Sequence, residues 1–116
     1  MIQIKRAYEP ASAADGVRVL VDRLWPRGVS KEKAHIDLWA REVAPSNELR
    51  KWFNHSPDRW EGFRKRYREE LKDQDRKKAL SMIRALAKKG RVTLIFAARE
   101  EKLNNAAFIA SFLRKK

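Results

Sequence analysis

Arg18-Val19-Leu20-Val21-Asp22-Arg23-Leu24-Trp25-Pro26-Arg27-Gly28 is the stretch from which the rest of the chain can be placed. Val19, Leu20 and Val21 are apolar at consecutive positions, so both faces of a strand formed there are buried. Runs of that kind belong to interior strands covered on both sides. A carboxylate, two guanidiniums, an indole, a proline and a glycine then crowd the strand's carboxyl end. Trp25 is held extended, because the residue before a proline avoids the helical region. Gly28 permits a backbone conformation that most residues resist. The stretch reads as a buried strand over 17–24 that delivers a functional loop.

Working outward, residues 92–97 (Val-Thr-Leu-Ile-Phe-Ala) form a second fully apolar strand. Ile2 and Ile4 alternate with polar neighbours, which marks a first strand over 2–8; residues 9–16 connect it, with Pro10 and Asp15-Gly16 as turn signals. Residues 30–35 read as one helical turn capped by Ser30, and 36–43 as a short strand closed by Pro45. Ser46 caps a helix that buries Leu49, Trp52 and Phe53. Pro57-Asp58 opens the next, with Trp60, Phe63, Tyr67 and Leu71 as an aromatic inner face. Residues 73–75 end or kink it; Ala79, Met82, Ile83 and Leu86 continue the helical period up to a stop at Gly90. Asn104 or Asn105 caps a last helix that buries Ile109, Phe112 and Leu113. Two strands buried on both faces and separated by helices predict a single small α/β domain over 1–116, a mainly parallel sheet flanked by helices.

Composition narrows the chemistry. The 116 residues are enough for one core and too few for two, and 43% of them are hydrophobic. No apolar run approaches the roughly 20 residues that cross a membrane. The start of the chain has no signal-peptide core, so the expected location is cytoplasmic. Without cysteine there is no disulfide, thiolate nucleophile or cysteine-based metal site. His35 and His55 are not at metal-ligand spacing, so neither metal nor cofactor is expected. A net charge of +13 favours anionic partners: nucleic acid, nucleotides, phosphorylated metabolites or acidic headgroups. The same charge is equally that of a well-solvated basic surface.

In parallel sheets ligands bind beyond the carboxyl ends of the strands. The loops after residues 17–24 and 92–97 should therefore open on one edge, with the start of the Ser46 helix completing a cleft. Asp22 is the candidate acid–base; it can equally orient an arginine, or form a structural pair that holds the Trp25 turn. Arg23, Arg27 and Arg50 are candidates to bind charge, with Gly28 offering a bare amide and Trp25 an indole to stack. Ser46 is first a cap, although the free amides at its helix start suit an anion. Arg99, Asn104 and Asn105 follow the second buried strand and face the same edge. The expected partner is an anionic small molecule. The alternative is nucleic acid, tracked by Arg64, Arg68, Lys72 and Arg76 along helix 57–76 and by the tail Arg114-Lys115-Lys116. That spacing is also what a solvated helix face produces, with Glu61, Glu69 and Asp73 partly neutralising it.

Three blocks carry a resemblance: 15–28 (Asp-Gly-Val-Arg-Val-Leu-Val-Asp-Arg-Leu-Trp-Pro-Arg-Gly), 39–53 (Trp-Ala-Arg-Glu-Val-Ala-Pro-Ser-Asn-Glu-Leu-Arg-Lys-Trp-Phe), and Val-Thr-Leu-Ile-Phe-Ala-Ala followed by Asn-Asn-Ala. With the aromatic helix they span nearly the whole chain, and they resemble the bacterial YeaO-like family of domains of unknown function. The resemblance implies the α/β fold and the site's position, and no particular reaction. Some members of the wider group carry Cys-His-Arg after the last strand; this chain has Asn104-Asn105-Ala106 in that region and no thiol. No helix-turn-helix pattern supports a transcriptional regulator.

Overall fold

The computed structural model describes residues 1–115. Its strands β1 (Ile2–Arg6), β2 (Val17–Leu20), β3 (Leu38–Trp39) and β4 (Val92–Phe96) form one sheet in the order β1-β4-β2-β3. Every pairing is parallel, with Val19 opposite both Leu94 and Leu38, and Ile4 opposite Leu94. The two apolar runs are therefore the two interior strands, and Val19, Leu20, Val92, Leu94 and Ile95 are fully buried.

The faces of the sheet are unlike. Val19, Val21, Val92, Leu94 and Phe96 point to one side, where α2 (Asn47–Phe53), α3 (Trp60–Glu70), α4 (Gln74–Lys89) and α5 (Asn105–Lys115) build the main core. Arg18, Leu20, Thr93 and Ile95 point to the other, which carries no long helix. Residues 8–16 and 22–37 cross it instead, with a 3-10 turn (Ala13–Asp15) and the single turn α1 (Lys31–Ala34). A small second core of Ala7, Leu20 and Ile95 lies there beneath Trp25, Ile36 and Trp39. The expected sheet flanked by helices is thus helical on one face and loop-covered on the other. Stepping from β1 to β3 over one face and back to β4 over the other keeps the crossovers of one hand.

The capping signals at Ser30, Ser46 and Asn104 are realised, and Asp73 adds a cap that the sequence reading did not name. Ser30, Ser46 and Asp73 accept from the amides of Lys33, Leu49 and Arg76, and Asn104 accepts from Ala107. Each satisfies an orphan amide worth about 1 kcal/mol. Several boundaries move, each for a physical reason. β2 stops at Leu20 because Asp22 turns to bind the end of β4; Val21 keeps one ladder bond to Ile95, 3.1 Å. The short strand over 36–43 shrinks to two residues and becomes a 3-10 turn, Arg41–Val43. The helical pattern from 57 divides into a 3-10 turn (Pro57–Arg59), α3 and α4, because Asp73 caps a new start. Met82 is 50% exposed rather than inward, and Phe108 fills the core position beside a half-buried Phe112.

At the amino edge of the loop-covered face, Asp15 and Arg18 are both buried and paired at 2.5 Å, with Lys5 3.1 Å away. Arg18 also donates to the Ala34 carbonyl. Burial opposes ionisation of Asp15, yet the Ser12 amide, Lys5 and Arg18 outweigh it and hold the carboxyl below the usual range. Its folded pKa lies under its unfolded value, so its stabilisation is complete above about pH 4 and lost as pH falls through the folded value. Asp15→Ala strands Arg18 without a counter-charge and should cost about 3–5 kcal/mol in urea unfolding. The acid-induced loss of stability below about pH 4 should shrink in the same variant; an unchanged acid limb would refute the assignment.

Candidate functional site

Because β2 and β4 run parallel, their exits lie on the same edge, and Asp22 joins them. Its Oδ2 accepts from the Ala97 amide (2.9 Å) and its Oδ1 from Asn105 Nδ2 (3.0 Å). The same Asn105 group donates to the Val21 carbonyl (3.1 Å), and Trp39 Nε1 donates to the Asp22 carbonyl (2.7 Å). One residue thus ties together the exits of β2 and β4, the start of α5 and the indole of β3. Burial pushes the Asp22 carboxyl above its ordinary range; the Asn105 amide, the Ala97 N–H and the charge of Arg50 pull it back without cancelling the rise.

Beyond Asp22 the chain forms a strap. Trp25 Nε1 donates to the Val29 carbonyl (2.6 Å), and the Trp25 ring stands edge-on to Trp39 at 5.4 Å. Gly28 has φ 79°, the left-handed conformation that turns the strap back. Tyr8 Oη donates to the Arg27 carbonyl (2.9 Å), while the Arg6 guanidinium lies 5.0 Å over the Tyr8 ring. Held this way, the strap leaves the side chains of Arg23, Leu24 and Arg27 exposed.

The strap roofs a cleft of about 340 Å³ whose other walls come from α2, α3, the segment after β4 and the start of α5. Asp22, Arg23, Trp25, Arg27, Arg50, Asn104 and Asn105 all line it, as the strand-edge rule anticipated. Gly28, Ser46 and Arg99 do not. Ser46 is engaged within the fold: it caps Leu49 and donates to Glu70, whose carboxylate lies 3.7 Å from Arg76. Arg99 and Gly28 are both exposed outside the cleft. The asparagines divide their work. Asn104 caps α5 and donates to the Glu100 carbonyl (2.8 Å), whereas Asn105 serves Asp22.

Sequence reasoning missed the apolar lining. Phe53 and Phe63 are buried members of helix inner faces, and periodicity cannot distinguish a core side chain from one whose edge meets a cleft. Leu24, Leu103 and His55 also line the cavity. A larger, more open depression of about 520 Å³ adjoins Arg23, but Glu42, Asp73 and Asp75 there offset Arg41 and Arg76.

The basic stripe is not one helix face. The chain leaves α3 at Glu70 and re-enters a helix at Gln74. Arg64 pairs with Glu61 and Lys72 with Glu69, while Arg76 turns inward to the Ala44 carbonyl at 2.9 Å. Arg68 lies 5.6 Å from the Phe108 ring. In the tail, Arg114 donates to the Ile2 carbonyl (2.6 Å); the Lys115 side chain and Lys116 lie outside the described residues. No described helix is long and apolar enough to cross a membrane.

Sheet order, strap and cleft define a small parallel α/β protein with a cationic, partly apolar cavity at its carboxyl edge. The chain belongs to the family described as the inactive DUF488-N3 subclade, whose model matches residues 1–116. It is 43% identical to the uncharacterised protein YeaO of Escherichia coli over 114 residues, covering 97% of this chain and 96% of that one. It is 41% identical to the uncharacterised protein Rv3073c of Mycobacterium tuberculosis over 112 residues, 97% and 92% of the two chains. No solved structure matches.

The Asp22 junction makes a specific expectation. Asn105→Ala removes one of the donors to the carboxylate, so the Asp22 carboxyl should titrate still higher, as read by carbon-detected NMR of the side chain. The lost bonds should cost about 1–3 kcal/mol in urea unfolding, because Val21 and Asp22 keep acceptors without partners. Because burial leaves the folded pKa of Asp22 raised, its ionisation opposes folding, and stability from this carboxyl falls as pH rises through that value, opposite in sign to Asp15. The Asn105 bond, which favours the ionised form, limits that fall.

Proposed function

We propose that the protein is a cytosolic binding protein for a small anionic ligand, phosphorylated or nucleotide-like, held in the cleft beneath the strap. One observation carries this reading. Arg23, Arg27 and Arg50 converge on one cavity, and among the described residues none of them forms an ion pair within contact distance. Arg50 makes a single side-chain bond, to Asn47 at 3.2 Å. Guanidiniums left with free donors in a concave site are suited to phosphate or carboxylate.

Asp22 acts here by orientation: both its oxygens are engaged, and its charge faces Arg50. The family's description as inactive accords with binding rather than turnover. The nucleic-acid alternative is less favoured, because its stripe is broken at residues 71–73 and two of its cations are paired with glutamates.

Thermal unfolding against nucleotides, sugar phosphates, small carboxylates and short DNA and RNA, at low and moderate salt, tests the proposal. A selective small anion at a hundredfold excess over its Kd should stabilise by about 2.7 kcal/mol, and Arg27→Ala should abolish the shift. Shifts from any polyanion that fade with salt and ignore Arg27→Ala would overturn it.

A further inference from the structure

The cleft's polar groups are unevenly available, and this bears on what kind of anion fits. Trp25 Nε1 is taken by Val29, and Tyr8 Oη donates to Arg27. Asn104 uses its amide on Glu100 and its carbonyl oxygen on Ala107. The Asn105 amide serves both Val21 and Asp22, and each Asp22 oxygen already accepts a bond. Beyond the three guanidiniums, the described side chains lining the cavity leave only the Asn105 carbonyl oxygen and the His55 ring without a hydrogen bond. The remaining lining is apolar: Phe53, Phe63, Pro45, Leu103 and the alanines after β4. Leu24, 66% exposed on a strap otherwise rich in charge, extends that apolar wall to the rim.

A ligand with many hydroxyls would bring polar groups to a wall with few partners, each costing free energy when desolvated unpaired. An apolar or aromatic body gains there instead, since it removes both its own surface and that of Leu24 and Leu103 from water. Resting on the anion-binding reading above, we infer that the ligand is amphiphilic: one anionic head held by Arg23, Arg27 and Arg50, and an apolar or aromatic body lying against Leu24, Phe53 and Phe63. The strap adds to the discrimination, because the Trp25 indole N–H and the Tyr8 hydroxyl are spent on holding it and are not offered to a ligand.

Isothermal titration with inorganic phosphate, phenyl phosphate and ribose 5-phosphate separates the possibilities. Phenyl phosphate should bind about tenfold or more tightly than either of the others, the scale set by partial burial of one ring. Leu24→Ser, at an exposed position that should leave folding nearly unchanged, should reduce that preference by several fold while the affinity for inorganic phosphate stays the same. Arg27→Ala should weaken all three. Equal or tighter binding of ribose 5-phosphate would overturn the amphiphilic ligand and leave the anion site standing. Binding of none of the three would overturn the anion site itself, and with it this inference.

Discussion

The carboxylate of Asp22 is the constraint on which the cleft depends. A parallel sheet delivers its strand ends to one edge, but nothing in strand pairing fixes how the exiting chains diverge. Here the exit of β2 bonds the first free amide beyond β4 and the side chain of the first residue of α5. The position of α5, the path of the strap and the mouth of the cavity follow from that junction. Trp39, donating to the carbonyl of the same residue, brings β3 into it although β3 has only two residues in the ladder.

Asp15 and Asp22 bracket β2 and show how the same side chain is tuned in opposite directions. Both lose water on folding. Asp15 regains more than it loses because the Ser12 amide is joined by two cations in contact, Lys5 and Arg18. Asp22 is met by neutral donors, and its nearest named cation, Arg50, acts at longer range, so burial prevails. The lower end of β2 is therefore a closed anchor whose carboxylate is paired with two cations. Its upper end keeps a carboxylate whose charge is only partly compensated, beside guanidiniums with free donors.

The two interior strands were legible because consecutive apolar residues bury both faces of any strand they form, and the parallel orientation, though not the strand order, followed from the helices between them. The caps at Ser30, Ser46 and Asn104 were legible as chemistry at helix starts. Two features were not, and a third was read only with its alternatives open. The loop-covered face escaped notice because Arg18 and Lys5 look like surface residues until Asp15 buries them. The break at residues 71–73 was open in the sequence, where a polar Asp-Gln-Asp can end a helix or ride on its outside. Ser46 seemed available to a ligand because its partner, Glu70, is 24 residues away along the chain.

The excess of positive charge is a weaker guide than the state of each cation. Arg6, Arg18, Arg76 and Arg114 each donate to backbone carbonyls, fastening distant segments. Arg41 lies 4.0 Å over Trp39, and Arg66 lies 4.1 Å over Trp52, so much of their value is in covering indoles that would otherwise face water. A guanidinium with several carbonyls or a ring already in hand has little left for a ligand. Arg23 and Arg27 are in the reverse condition: exposed, unbonded through their side chains among the described residues, and held over a cavity by a strap whose other polar groups are engaged. It is the contrast between these arginines and the others, rather than the sum of charge, that supports the proposed anion site at the carboxyl edge.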